Sequence, residues 1–253
     1  MYSLDILIQG FPGRAVCHGG LGWSTIALIR GNGRIALLDV GAFGVGRELR
    51  AQLAEHGVSP EAVTDVILTH AHYDHAVNFT LFPNASVAIG DDELNWAAAQ
   101  PPGFNPLPEL YVRELVSLPR LRRLSAGEIV LPGLVAAAAP GHTPGHLIFV
   151  LQDYPVPVIF TGESAKNRAE LLSMAVDASA NHAESRETLE TIWTLWRQAP
   201  GTLLVPGHDR TMRLNDAGQP EYIGERRAAI DAWFSESIHT MTHIDLCKPG
   251  IED

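Results

Sequence analysis

The segment from His70 to His75 constrains this chain more than any other. It places three imidazoles and a carboxylate directly after the apolar, strand-like run at 66–68. Imidazole nitrogens and carboxylate oxygens are ligands of zinc and similar divalent metals. His70 and His72 can point the same way from an extended segment, because side chains alternate there with period two. Asp74 and His75 then lie beyond the strand end, so the segment predicts a metal site at that end.

Three further segments each carry a ligand-type residue behind a glycine, after another apolar run. They are Gly141-His142, Gly162-Glu163 and Gly207-His208. Together with the first segment they offer more ligands than one metal ion needs, since a zinc ion is usually four-coordinate.

These segments resemble the motifs of the metallo-β-lactamase-fold hydrolases. The chain has HxHxDH at 70–75, GHTPGH at 141–146, Thr-Gly-acid at 161–163 and Pro-Gly-His-Asp at 206–209. One such motif can arise by chance, but four in the family's order hardly could. The resemblance extends from the first predicted strand to His208. It implies an α/β fold, the four-layered αββα sandwich of that family.

The resemblance also implies the ligands of two metal ions. One ion would take His70, His72 and His142, the other Asp74, His75 and His208, with Glu163 between them. The cofactors are then two divalent ions, zinc by preference, with manganese, iron or cobalt as alternatives. Asp74 and Glu163 are the candidate catalytic residues. Water held by such metals has a pKa near 7, so a hydroxide can attack the substrate without a protein nucleophile.

Position 163 departs from the family pattern, in which the bridging acid is Asp. Glu163 is one methylene longer; it can still bridge through a shift of backbone or rotamer, or it can bind one metal only. We hypothesise that it lowers the occupancy of the second site or the activity, since metal sites tolerate little displacement. Asp39, His146 and Asp209 are predicted to support ligands or turns without touching metal.

Substrate contacts are predicted from aromatic residues around a proline-rich loop at 100–108 that carries four prolines. Trp96, Phe104 and Tyr111 would supply apolar walls if this loop covers the metal site. Ordinary packing under a long loop explains the same residues equally well. His18 and His182 lie in predicted loops and are further candidates, although exposed loop histidines are common.

The spacing of GHTPGH and the Thr-Gly-acid segment is most similar to that of N-acyl-homoserine-lactone lactonases. This implies hydrolysis of an ester or lactone bond in a small molecule. The tyrosine of those enzymes is missing, because Ser164-Ala165-Lys166-Asn167 follows the acid here. An activated aryl ester or ether, or a thioester as in hydroxyacylglutathione hydrolases, is therefore an alternative substrate. The remaining alternative is a different function, that of a metal-binding pseudoenzyme or binding module.

Composition and local sequence features limit the classes of binding partner and the cellular location that we expect. The net charge of −11 and the presence of only two lysines argue against a nucleic-acid partner. No apolar run reaches the ~20 residues of a membrane span. The N-terminus shows no secretion signal, and two distant cysteines form no disulfide framework, so we expect a cytoplasmic enzyme. A small-molecule substrate is the expected partner.

We expect one domain over 1–253 with a C-terminal helical extension over 221–253. Strands are predicted at 4–9, 25–30, 34–39, 130–139, 147–152, 156–161 and 202–205. Helices are predicted at 48–56, 91–99, 184–196 and 221–239, with a short helix starting at Pro60. The last helix has an apolar stripe at Ile230, Trp233, Phe234 and Ile238 that could serve a homo-oligomer interface.

Overall fold

An antiparallel hairpin opens the fold at the predicted glycine-rich turn. In this computed structural model, which describes residues 1–17 and 20–247, Asn32 and Gly33 have φ angles of 51° and 73°. A type I′ hairpin turn requires positive φ at both central residues, and Asn-Gly is its preferred pair. The turn fixes the register of the two strands, with Gly31 opposite Arg34.

Two large sheets carry most of the chain. The strands of the first sheet are β1 (Ser3–Ile8), β2 (Ile26–Gly31), β3 (Arg34–Leu38), β4 (Asp65–Ile67), β5 (Ser86–Gly90) and β6 (Leu121–Leu124), in that order. Those of the second are β7 (Ile129–Leu131), β8 (Leu134–Ala138), β9 (Leu147–Leu151), β10 (Val158–Gly162), β11 (Leu203–Pro206), β12 (Met212–Leu214) and β13 (Pro220–Tyr222). The predicted strand at 130–139 is divided between β7 and β8 by Gly133, whose φ is +77°.

Helices connect and cover these strands. They are α1 (Gly46–Glu55), α2 (Tyr73–Ala76), α3 (Asp91–Ala99), α4 (Glu109–Ser117), α5 (Arg168–Ser173) and α6 (His182–Arg197). The predicted helices at 48–56, 91–99 and 184–196 correspond to α1, α3 and α6, whereas the one starting at Pro60 is a single 3-10 turn, Pro60–Ala62. Within 1–17 and 20–247, none of the helices has both the length and the hydrophobicity of a bilayer span.

Three hydrophobic cores separate four layers. The first lies between the first sheet and helices α1, α3 and α4, and includes Leu28 and Leu53. The second lies between the two sheets, where Ile29 and Phe149 are fully buried. The third joins the second sheet to α5 and α6 through Trp196. Because side chains alternate along each strand, adjacent residues such as Leu28 and Ile29 enter different cores. The predicted αββα sandwich is confirmed.

The strands deliver the motif residues to neighbouring loops. In the first sheet β3 to β6 run parallel, and β4 ends three residues before His70. In the second sheet β10 and β11 are a parallel pair, so their carboxyl ends lie at the same edge. Glu163 follows β10 directly and His208 follows β11 after one glycine. Loops at the carboxyl ends of strands are where open α/β sheets bind ligands.

The C-terminal helix predicted at 221–239 is wrong for the described residues. The chain divides into two compact units, Met1–Ile223 and Gly224–Asp253, and the second contains an antiparallel pair, β14 (Ala229–Ala232) and β15 (Thr242–Asp245). Trp233, Phe234 and Ile238 are 60%, 76% and 77% exposed. These side chains are thus not buried as the apolar stripe of a packed helix would be, and helices depend mainly on such burial for stability. A single domain over 1–253 and a homo-oligomer stay predictions.

Candidate metal centre

The HxHxDH segment turns sharply after its extended start. His70 and His72 lie in irregular backbone after β4, and His72 is the N-cap of the one-turn helix α2, which contains Asp74 and His75. His70 and His75 are fully buried. The turn directs the four ligand-type side chains into the space between the two sheets' loop edges, where residues of the second sheet meet them.

Two groups of potential metal ligands lie side by side. The His142 group consists of His70, His72, His142 and Glu163, and the His208 group consists of Asp74, His75, Glu163 and His208. Within each group the ligand atoms all lie within 4.8 Å of one another. The ligand atoms lie close together. Nε2 of His142 is 2.9 Å from Nδ1 of His72, and the Nε2 atoms of His75 and His208 are 3.4 Å apart.

Glu163 faces both groups. Its Oε2 contacts Nε2 of His142 and lies 3.3 Å from Nε2 of His70 and 3.5 Å from Nδ1 of His72. Its Oε1 lies 3.2 Å from Nε2 of His208, which is itself 3.3 Å from Oδ2 of Asp74. The two oxygens of one carboxylate thus point to different groups. The longer side chain spans the distance between them, as a bridging ligand must.

Acceptors behind the histidines fix the direction of two rings. Oδ2 of Asp39 lies 2.7 Å from Nδ1 of His75, and the carbonyl oxygen of Ala178 lies 2.8 Å from Nδ1 of His142. A proton held at Nδ1 by such an acceptor leaves the Nε2 lone pair free to bind metal. Asp39 is also anchored, because it accepts the backbone N–H of Thr69 at 2.8 Å. Asp39 therefore lies behind His75, where a supporting residue is predicted.

His146 and Asp209 lie behind the cluster. His146 Nε2 accepts the backbone N–H of Glu163 at 3.1 Å, and its Nδ1 lies 2.9 Å from the hydroxyl of Ser164. Burial, followed by the proximity of other histidines, lowers the pKa of His146 well below its ordinary value, so the ring is a neutral acceptor. Asp209 accepts the Tyr222 hydroxyl at 2.7 Å and the backbone N–H of Arg210 at 2.9 Å, and so holds the turn after His208.

Burial and neighbouring charges set the protonation of these side chains. Burial, followed by His75 and His72, lowers the pKa of His70 well below its ordinary value. Burial opposes ionisation of Glu163, but His142 and His208 hold its pKa well below the usual range. Burial also lowers the pKa of His208, yet its hydrogen bonds to Asp74 and Glu163 outweigh this and raise the pKa to about 10.

The donor set fits divalent metal ions. His70 Nε2 is buried and makes no hydrogen bond in the described structure, although it points at the Glu163 carboxylate. A buried polar atom without a partner is costly unless a ligand satisfies it. Five imidazoles and two carboxylates match the nitrogen and oxygen preferences of zinc, manganese, iron and cobalt.

Glu93 is a supporting residue that the sequence does not reveal. It is fully buried in the first turn of α3, where an acidic residue is ordinary. Its Oε1 accepts the backbone N–H of Ala71 at 2.9 Å, and its Oε2 accepts the Thr143 hydroxyl at 2.6 Å. Burial raises its pKa, against these hydrogen bonds. Glu93 thus joins the two loops that carry His70, His72 and His142.

Replacing Glu93 by alanine is expected to destabilise the metal-free protein by about 3 kcal/mol, because each buried donor left unpaired costs ~1–3 kcal/mol. Urea unfolding of the stripped protein measures the loss. Asp92→Ala is the control, since Asp92 is exposed in the same helical turn and a surface change costs at most ~0.5 kcal/mol. Equal unfolding midpoints for both variants would contradict this role of Glu93.

The residues predicted to contact substrate are distributed unevenly. Trp96 lies beside the cluster, with its ring 6.3 Å from that of His72 and 6.0 Å from that of Phe104. Tyr111 instead packs edge-on against Phe43 and Phe79. His182 is exposed at the start of α6, and His18 lies outside the described residues. The substrate role of all five stays a prediction.

Comparison with known proteins agrees with this arrangement. Residues 19–208 match the family model of the Metallo-beta-lactamase superfamily. Metallo-beta-lactamase domain-containing protein 1 of Homo sapiens is 28% identical over 229 residues, 88% of this chain and 77% of that protein. An N-acyl homoserine lactonase of Bacillus sp is 32% identical over 108 residues, 42% of this chain and 40% of that protein.

Among solved structures, the dizinc quorum-quenching lactonase AidC, in complex with its product, has a similar fold. The TM-score is 0.65 at 18% identity, covering 81% of this chain and 80% of that one. The family match spans most of the chain, and the chain belongs to the metallo-β-lactamase superfamily. The family predicted from its four motifs is confirmed. Its fold and candidate metal centre are those of a metallo-β-lactamase-fold hydrolase.

Proposed function

We propose that this protein is a metal-dependent hydrolase that opens an ester or lactone bond of a small molecule at a dinuclear centre. The observation that carries the proposal is the position of Glu163, whose two oxygens face two separate ligand groups. The His142 group would hold one divalent ion and the His208 group the other. Bound there, two such ions supply a Lewis acid and lower the pKa of water.

The chain's own residues orient and balance this centre. Asp39 and Ala178 fix the rings of His75 and His142 from behind, at 2.7 Å and 2.8 Å. Burial raises the pKa of Asp74, but His75 and His208 outweigh it and lower the pKa, so Asp74 is a carboxylate at neutral pH. Its Oδ2 can accept a proton from the attacking water and return it to the leaving oxygen. No serine or cysteine nucleophile is required.

Similarity to lactonases supports the substrate class. The Bacillus N-acyl homoserine lactonase shares 32% identity over its matched region. Trp96 and Phe104 form an aromatic pair next to His72, with Phe104 39% exposed. Such a surface suits the acyl chain of a lactone, and it suits an aryl ester equally. The net charge of −11 argues against nucleic acid as the substrate.

Proton release in a pH-stat tests the proposal. The metal-loaded protein is given acyl-homoserine lactones, aryl esters and a glutathione thioester, each with and without chelator. We expect chelator-sensitive proton release on lactones. Release on aryl esters or the thioester alone would reject the lactone and identify the other branch. If the metal-loaded protein releases no protons with any substrate of the panel, the result would contradict the hydrolase proposal for these substrates and favour a metal-binding module.

Metal binding is expected to release a proton from His208. With a pKa of about 10 this imidazole is protonated at neutral pH in the metal-free protein, whereas a metal ligand must be neutral. Below the pKa of His208, each fall of one pH unit therefore lowers the apparent affinity of the His208 group for a metal ion by up to ~10-fold. Calorimetric zinc titration at pH 7.5 in buffers of different ionisation enthalpy counts the protons. His208→Gln should release about one proton fewer; an unchanged count would contradict the assignment.

A further inference from the structure

Lys166 lies three residues after Glu163, with its side chain in an unusual position. The chain has only two lysines, and the side chain of Lys166 is 11% exposed. Its ammonium group donates to the carbonyl oxygen of Asp177 and lies 3.4 Å from Oε1 of Glu170. A lysine held this far from solvent needs a specific partner.

Glu170 is the partner, and it ties two segments together. It is buried, with 5% exposure, in helix α5. Its Oε2 accepts the backbone N–H of Lys166 at 2.8 Å, and its Oε1 accepts the backbone N–H of Asp177 at 3.0 Å. The carboxylate therefore fixes Asp177, in the middle of residues 174–181, here called the support loop, against the segment that follows Glu163.

The two ends of this connection reach one ligand of each group. The carbonyl oxygen of Lys166 accepts the backbone N–H of His208 at 2.8 Å. At the other end, the residue after Asp177 is Ala178, whose carbonyl oxygen lies 2.8 Å from Nδ1 of His142. The path His208, Lys166, Glu170, Asp177 and Ala178 to His142 is continuous through hydrogen bonds and one peptide link.

Backbone strain in the support loop indicates that its shape is imposed from outside. Met174 and Ala178 have φ angles of +55° and +53°. Residues with a Cβ rarely adopt this left-handed region, and they persist there where the surroundings fix them, often at functional sites. Ala178 is the residue whose carbonyl oxygen meets His142. The backbone N–H of Ala180 and the hydroxyl of Ser179 bind carbonyl oxygens of His142 and Gly141 on one side of Ala178. Glu170 holds the other side, through the N–H of Asp177.

We propose that Glu170 and Lys166 are positioning residues that set the relation between the two ligand groups, by fixing the support loop behind His142 and the backbone of His208 together. The inference rests on the proposed metal centre. Loss of the Glu170 carboxylate removes the acceptor of the Asp177 N–H and the counter-charge of the Lys166 ammonium, which keeps only the carbonyl oxygen of Asp177 as a partner. The support loop can then relax, and the His142 ring loses its fixed direction.

Glu170→Gln tests the inference, with Glu190→Gln as the matched control. Arg186 and Glu190 are also an i,i+4 ion pair, here within helix α6, but both are exposed, at 68% and 63%. Zinc affinity is measured by competition with a chromophoric chelator. We expect Glu170→Gln to weaken zinc binding by ~10–100-fold, as for other changes behind metal ligands, and Glu190→Gln to leave it unchanged.

Two readouts separate positioning from simple destabilisation. In the metal-free protein, Glu170→Gln should speed hydrogen exchange in the support loop, and the exchange of α1 should stay as in the wild type. The visible spectrum of the cobalt-saturated variant should also differ from that of the wild type, because the ligand geometry changes. Wild-type affinity, exchange and spectrum in Glu170→Gln would overturn the inference.

Further variants keep the test decisive if Glu170→Gln does not fold. Lys166→Met should weaken zinc binding while Lys166→Arg retains most of it, since arginine keeps the charge. Equal affinities of the two Lys166 variants would overturn the inference. A wild-type protein that binds no zinc in the same competition would instead refute the proposed metal centre, so the two failures are distinguishable.

Discussion

Replacing Glu163 by alanine is expected to abolish binding of the second metal ion and to lower hydrolysis by more than ~100-fold, beyond the 10–100-fold typical of residues behind the ligands. Among the described residues, the Glu163 carboxylate is the group shared by both ligand sets, with Oε2 toward His70, His72 and His142 and Oε1 at 3.2 Å from His208. Its removal leaves each set with only three ligands and without the shared negative charge. Metal analysis after gel filtration and initial rates on a lactone measure the two effects.

Two further variants separate the contribution of side-chain length from that of charge. Glu163→Asp shortens the side chain, and Glu163→Gln removes its charge. The hypothesis from sequence is that Glu lowers occupancy relative to the Asp of the family. The observed contacts support the opposite expectation, because this backbone places the longer side chain between both groups. Glu163→Asp should therefore weaken the second site, and Glu163→Gln should weaken both through the lost charge. Higher metal content and a higher rate in Glu163→Asp would contradict this account of Glu163.

Removing the metal ions is expected to lower the melting temperature by about 10 °C. Metal at a thousandfold excess over its dissociation constant stabilises the folded state by ~4 kcal/mol, and a domain of this size shifts by roughly 2–4 °C per kcal/mol. In the metal-free protein, Nε2 of His70 is buried without a hydrogen bond. A bound ion would satisfy this atom, so the stripped protein is the less stable form.

Differential scanning calorimetry of the stripped and the reloaded protein measures this shift. The double variant His142→Ala/His208→Ala is the control, because it removes one ligand from each group and should show a much smaller change on reloading. Identical melting temperatures of the stripped and reloaded wild type would show that the ions do not bind the folded state more tightly than the unfolded chain.

Local sequence signals were sufficient for most of the fold. The Asn32-Gly33 turn fixes its hairpin through backbone chemistry that two residues determine. Strands such as β9 and β10 are short apolar runs bounded by turn residues, and their alternate side chains enter different cores. The order of the four motifs then predicts that two sheets pack face to face, which the residue pattern of one strand cannot show. The same reasoning brings the ligand-type residues to one place, because each follows a strand end.

The C-terminal segment shows where such signals fail. Spacing of Ile230, Trp233, Phe234 and Ile238 at helical intervals predicts a helix only if a core exists to bury that face. Here Trp233 and Phe234 are exposed, and Ile230 pairs with Ile244 across two strands. Periodicity in a single segment does not report whether the rest of the molecule supplies a partner surface.

Supporting residues around the metal centre are equally hard to predict. Glu93 and Glu170 look like ordinary acidic residues in first helical turns. Only the fold brings Glu93 to the backbone N–H of Ala71, 22 residues earlier, and Glu170 to the N–H groups of Lys166 and Asp177 on either side of its helix. Ala178 carries no chemical signal at all, since it acts through its carbonyl oxygen and a left-handed φ of +53°. Such roles depend on tertiary geometry, which a residue's type does not encode.

Titration of chelator-stripped protein with zinc, with bound metal and lactone hydrolysis followed together, tests the central claim most directly. A dinuclear hydrolase predicts that two ions bind per chain and that hydrolysis rises with the second ion. A protein that binds no metal, or one that hydrolyses the lactone at the full rate after stripping, would contradict the account.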